Sequence, residues 1–182
     1  VTWTVLKQTE SKKGKKGFYL KLSMASFTRK IRSYDLVGTA GTFDFIHKGH
    51  QLLLQTAFQV GKKVVIGLST TELLGNKEFK ENIKPYSTRF SQLEEYIEQS
   101  LVIPKSDFSI IPLSDPFGPA ITDPRLQAHI SSMETFQGAL RINQKRIENG
   151  LQPLILIIIP LVRNAENEKI SSSMLRAQNL PQ

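Results

Sequence analysis

From Tyr34 onward, apolar positions fall into two alternating kinds of run. Short apolar clusters of strand length occupy residues 35–39, 64–68, 108–113, 128–131 and 154–159. Between them the apolar residues recur with a helical period. Over residues 51–60, Leu52, Leu53, Ala57 and Val60 share one side, and Gly61 stands where that helix can end. Ser87 or Thr88 can cap a second helix, along which Phe90, Leu93, Tyr96 and Ile97 form a stripe. A third is predicted from about Thr135 to Glu148, closed by Asn149 and Gly150. This alternation predicts an α/β domain built on a doubly wound, five-stranded parallel sheet.

The segments between these elements carry the unusual residues. Pro112 makes the end of the third strand a sheet edge or exit, and SDPFGPAITDP, residues 114–124, is too rich in proline for anything but a loop. In open α/β sheets, ligands lie beyond the carboxyl ends of the strands. The loops in those places are residues 40–50, 69–85, 114–124 and 163–173.

Residues 1–33 break the pattern and are expected to form a basic extension, with residues 34–182 as the catalytic domain. SKKGKKG, residues 11–17, lies between two alternating stretches, TWTVLK and FYLKLS, and reads as a hairpin or arm outside the core. Charge matters here because it is not spread over the chain. Residues 1–34 hold nine Lys/Arg and one acidic residue, whereas residues 35–182 hold fifteen of each sign. A nucleic-acid-binding role led by the extension therefore ranks second, since aromatic residues do not interleave with its lysines. The chain has no cysteine, which excludes disulfides and thiolate chemistry. No apolar run reaches the roughly 18–20 residues that a membrane helix needs, and no signal-peptide core is visible, so a cytoplasmic location without membrane contact is expected.

Candidate chemistry concentrates in GTAGTFDFIHKGH, residues 38–50. Gly38, Gly41 and Gly49 lie in a strand-to-helix connection, where backbone N–H groups can approach a phosphate and a helix N-terminus adds partial positive charge. Thr42, His47 and His50 bring a hydroxyl and two imidazoles to the same turn, and residues three apart share a helical face. Such donors suit a triphosphate whose terminal pyrophosphate departs. One rival is metal ligation by Asp44, His47 and His50. Another is that the histidines only cap or pack the helix. Asp44 itself can instead cap the helix or orient a loop amide. Near the other end, KISSSMLR, residues 169–176, offers Ser171, Ser172, Ser173 and Arg176 to phosphate. Lys77, Lys80 and Lys84 lie after the second strand, with Arg89 on the helix behind.

GTFDFIHKGH and KISSSMLR together resemble the cytidylyltransferase-like nucleotidyltransferases. NKEFKENIKPYSTR, PLSDPFGPAITDP, METFQGALRINQKRIENGLQPL and PLVRNAENEKISSSMLRA resemble, more narrowly, the archaeal and eukaryotic phosphopantetheine adenylyltransferase family. The resemblance implies a Rossmann-like fold. It further implies transfer of the adenylyl group of ATP to 4′-phosphopantetheine, giving dephospho-coenzyme A and pyrophosphate, with Mg²⁺ carried by ATP and no protein metal site. It implies His47, His50 and Lys77 as catalytic residues. Gly41, Thr42, Phe43, His50, Ser171, Ser172, Ser173 and Arg176 would bind ATP, and Thr42, Lys77, Lys84 and Arg89 the acceptor. Lys77 is preferred to Lys84 as the bridge between the reacting phosphates. A homo-oligomer is left open, and other HxGH enzymes acting on CTP and glycerol 3-phosphate, or on FMN, are the alternatives within the class.

Overall fold

The computed structural model describes residues 4–6, 19–21, 32–75, 82–163 and 174. Seven strands form one sheet: β1 (Thr4–Leu6), β2 (Tyr19–Lys21), β3 (Tyr34–Gly41), β4 (Gly61–Ser69), β5 (Phe108–Leu113), β6 (Ala128–Ser132) and β7 (Ile155–Ile159). Their spatial order is β1-β2-β7-β6-β3-β4-β5. The five strands β3 to β7 are mutually parallel, as the strand–helix alternation predicts.

In the N-terminal segment β1 pairs antiparallel with β2, as the two strands of a hairpin do. The sequence does not reveal where it docks. β2 pairs parallel with β7, from Tyr19 opposite Leu156 to Lys21 opposite Ile158. Without that hairpin β7 would be a sheet edge. Its outer side is paired, which suits ILIII, a strand with four of its five residues buried. At the opposite side β5 is the true edge, and there Pro112 is tolerated.

Helix α1 (Lys48–Val60) runs directly into β4. Gly61 ends it in an extended conformation, not a left-handed one, with φ −95°. Glycine is required there by packing: a Cβ would lie 2.5 Å from Cγ2 of Val37. Helix α2 (Tyr86–Glu95) starts before both caps predicted for it. Pro85 is its N-cap and no side chain caps it, so Ser87 and Thr88 fall inside the first turn. A proline's fixed φ suits entry to a helix. The helix then widens into a π-turn over Tyr96–Ser100. Helix α3 (Phe136–Glu148) ends at Asn149 and Gly150 as predicted, the glycine at φ +74°. The proline-rich loop contains a single 3-10 turn, Gly118–Ile121.

Register divides the side chains between two faces. Val37, Val64, Ile66, Leu68, Ala128, Ile130, Ile157 and Ile159 pack with α1 and α2 in the larger core. On the other face Leu126, Leu156 and Ile158 pack with Ala139 and Ile142 of α3. Helix α3 packs on the β6 and β7 side of that face. Over β3, β4 and β5 the same face lines the cavity described next.

Candidate active site

A cavity of about 740 Å³ runs across this open face. Its floor comes from strand positions that carry little or no side chain, Gly38 and Ala40 of β3 and Gly67 of β4. Small residues there leave room that larger ones would fill. Ile111 and Leu113 of β5, Phe117 and Pro119 of the proline-rich loop, and Ala139 and Ile142 of α3 give this end apolar walls. The other end is polar, lined by Thr42, His47, Gly49, His50, Ser131 and Ser132.

The polar end is the start of α1. His47 is the helix N-cap, and its Nδ1 accepts a hydrogen bond from the Gly49 N–H at 3.1 Å. Gly49 is needed for that fold-back, since a Cβ would stand 3.0 Å from Cε1 of the His47 ring. Because Nδ1 accepts, the neutral His47 ring carries its proton on Nε2. His50 differs: its Nδ1 lies 2.7 Å from the Phe45 carbonyl, which can only accept, so Nδ1 carries that ring's proton. The two rings stack with centroids 4.0 Å apart, and Phe43 packs on His50 at 4.8 Å. His47 thus combines helix capping through Nδ1 with a place on the cavity lining. No acidic residue sits in the first turn of α1, so no side chain of that turn offsets the partial positive charge of its N-terminus.

The loop feeding this helix is held from behind. Phe43 adopts φ +49°, rare for a bulky residue, with its ring fully buried. Gly41 accommodates it: a Cβ there would lie 3.0 Å from the Phe43 ring. Arg89 is fully buried and donates from Nη1 to the Thr42 carbonyl at 2.8 Å and from Nε to the Lys84 carbonyl at 2.9 Å. Burial lowers the pKa of this guanidinium, and the charge of Asp44 acts in the opposite direction. Asp44 is also fully buried and accepts from the Lys84 N–H at 2.9 Å. It therefore orients a loop amide, one of the two roles weighed for it. Among the described residues no group of three His, Asp or Glu side chains is gathered as for a metal ion.

The structure brings Thr42, His47 and His50 together at one cavity end and places other candidates elsewhere. Arg89 faces main-chain carbonyls, so its contribution is to shape the 42–45 turn. The Lys84 ammonium bonds Gln92 at 3.1 Å and lies 4.3 Å over the Phe45 ring, in a shallow depression separate from the cavity. Lys77, Lys80, Ser171, Ser172, Ser173 and Arg176 lie outside the described residues. His129, Ser131 and Ser132 of β6 line the cavity although sequence reasoning passed over them. The available signal was polar residues in an otherwise apolar strand, AHISS.

Comparison with known proteins agrees with this geometry. Residues 39–178 match the model of the cytidylyltransferase-like family, and the chain belongs to that family. Within it the curated relatives are phosphopantetheine adenylyltransferases. That of Thermococcus kodakarensis is 41% identical over 80% of this chain and 87% of its own length. That of Pyrococcus abyssi is also 41% identical, over 81% of this chain and 92% of its own length. A solved structure of a protein of unknown function from Archaeoglobus fulgidus shares the fold, with a TM-score of 0.60 at 24% identity over 68% of this chain and 97% of that one.

Proposed function

We infer that this chain is a nucleotidyltransferase that moves the adenylyl group of ATP to 4′-phosphopantetheine, releasing pyrophosphate and forming dephospho-coenzyme A. Its relatives carry that activity in their name at about this level of identity over most of the chain. The observation that carries the reading is the cavity's two-ended form, with imidazoles and a helix N-terminus that has no acidic residue in its first turn at one end, and an apolar trench at the other. A triphosphate needs the first. An acceptor with a phosphate on a long uncharged arm suits both.

In this mechanism an oxygen of the acceptor phosphate attacks the α-phosphorus of ATP. A new P–O bond forms as the bond from the α-phosphorus to the bridging oxygen breaks, and the electron pair leaves with pyrophosphate. The protein's task is to position the two phosphates and to stabilise charge developing on the leaving group. His47 serves through Nε2–H, and the α1 N-terminus through its backbone N–H groups. His50 acts beside them, with Phe45 and Phe43 fixing its ring. Thr42 provides a hydroxyl at the turn. Arg89 and Asp44 act indirectly, by holding that turn and the Lys84 backbone. Gly41 and Phe43 complete the nucleotide loop. By the family resemblance, Lys77 bridges the reacting phosphates, and Ser171, Ser172, Ser173 and Arg176 hold the β and γ phosphates. Mg²⁺ enters with ATP as part of the substrate. We take residues 34–182 as the catalytic unit, with residues 1–33 as an added segment whose hairpin extends the sheet.

Pyrophosphate release across a panel of nucleotides and acceptors tests the assignment. ATP with 4′-phosphopantetheine is expected to be the productive pair. Product formed only from CTP, or only with glycerol 3-phosphate or FMN as acceptor, overturns it.

A further inference from the structure

The apolar end of the cavity contains a polar side chain that the phosphate chemistry does not use. His129 of β6 is more than nine-tenths buried and lines the cavity. Its Nδ1 is shut off from water and has no hydrogen-bond partner among the described residues. A buried imidazole nitrogen left so costs free energy that a hydrophobic residue at the same place would not. The surroundings make the ring's character plain. Desolvation holds its pKa down to about 4, so it is neutral at any ordinary working pH. A neutral imidazole has one donor and one acceptor nitrogen and no charge with which to hold a phosphate.

Gly38 lies directly beside this ring on the cavity floor. A Cβ at that position would come to 3.6 Å from Nδ1 and 3.3 Å from Leu126, covering the nitrogen with carbon. Among the described residues Asp123 and Glu134 are the charged side chains lining the cavity, and Asp123 is committed to Arg125, at 2.8 Å between Oδ2 and Nη2. The ring is thus a neutral polar contact set beside Leu126 and Gly38 on the cavity wall. Such a contact discriminates strongly, because a ligand without a matching group leaves the buried nitrogen unpaired.

We propose that His129 determines acceptor specificity: its ring hydrogen-bonds an amide or hydroxyl carried on the acceptor's uncharged arm, and touches neither the nucleotide nor the reacting phosphates. This rests on the functional reading above, in which the trench holds the arm of 4′-phosphopantetheine, a chain bearing two amides and a hydroxyl. On this view the polar end of the cavity performs the transfer and His129 decides what receives it.

The chain has three histidines, so ¹⁵N-labelling of histidine gives three sets of ring signals. Spectra of His47→Gln and His50→Gln assign the third set to His129 without requiring any change at His129 itself. Saturating 4′-phosphopantetheine, added without ATP, is expected to shift the His129 ring nitrogens, and ATP alone to leave them in place. In turnover, His129→Leu is expected to raise KM for the acceptor about tenfold, with KM for ATP unchanged and kcat within about threefold, as loss of one neutral hydrogen bond implies. Unmoved His129 signals at saturating acceptor, in an enzyme that turns that acceptor over, overturn the proposal and leave the functional reading intact. A wild-type protein that makes no product from this acceptor overturns the functional reading, and the proposal with it. Should the leucine variant fail to fold, the spectra of the other proteins decide alone.

Discussion

Replacing His129 by leucine changes how stability depends on pH, by an amount the structure sets. An ordinary histidine titrates near 6.5, and desolvation holds His129 down to about 4 in the folded protein. The unfolded chain therefore binds a proton in a pH range where the folded chain does not. The folded state has its full stability above pH 6.5 and loses it as pH falls towards 4. A gap of about 2.5 on the pH scale corresponds to about 3 kcal/mol when complete, of which about 2 kcal/mol is lost between pH 7 and pH 5. That is a large share of a typical domain's stability of about 5–15 kcal/mol. Urea denaturation of the wild type and of His129→Leu, each at pH 7 and pH 5, measures it. The wild type should lose about 2 kcal/mol more than the variant on acidification, because every other titrating group is common to both. Equal losses in the two proteins would refute the reasoning, since the ring would then be protonated in the folded state as readily as in water.

Three further substitutions have expected outcomes. Arg146 is 1% exposed and donates to the carbonyls of Gln152, Ala120 and Asp123 at 2.7 to 2.9 Å, so Arg146→Met should cost about 3 kcal/mol or more in denaturation, by leaving buried carbonyls unpaired. The same change should raise KM for the acceptor, because residues 120–126 form a cavity wall. Val102 is 76% exposed at φ +53°, a conformation that penalises a β-branched residue, and Val102→Gly should stabilise by about 1 kcal/mol, raising Tm by about 2–4 °C. His50→Ala should lower kcat by about 10²–10³-fold while calorimetry still shows ATP binding; unchanged turnover would remove His50 from the mechanism.

Much of the fold was legible because it rests on local periodicity. The strand clusters and the apolar stripes of the helices are short-range patterns, and the structure places β3 to β7 and α1 to α3 where those patterns lie. What was not legible depended on distant contacts. Gly61 reads as a helix-ending glycine, yet the reason for it is the nearness of Val37, more than twenty residues earlier. The uniformly apolar β7 reads as a central strand, and it is one only because β2 pairs with its outer side. At the site, HxGH was visible as a motif because its residues are neighbours in sequence. The trench was not, because Gly38, Gly67, Leu113, His129 and Ile142 come from five elements and meet only in the folded chain. Arg89 shows the converse: its charge suggested a ligand contact, and only its burial against Thr42 and Lys84 reveals a structural task.

The central claim is that one cavity joins a nucleotide phosphate end to an acceptor arm, and that the chain uses it for adenylyl transfer. The most direct measurement is product identification by mass after incubating the purified protein with Mg·ATP and 4′-phosphopantetheine, with pyrophosphate quantified in parallel. Dephospho-coenzyme A and pyrophosphate are expected in equal amounts. Absence of dephospho-coenzyme A, or pyrophosphate released at the same rate without the acceptor, would contradict it.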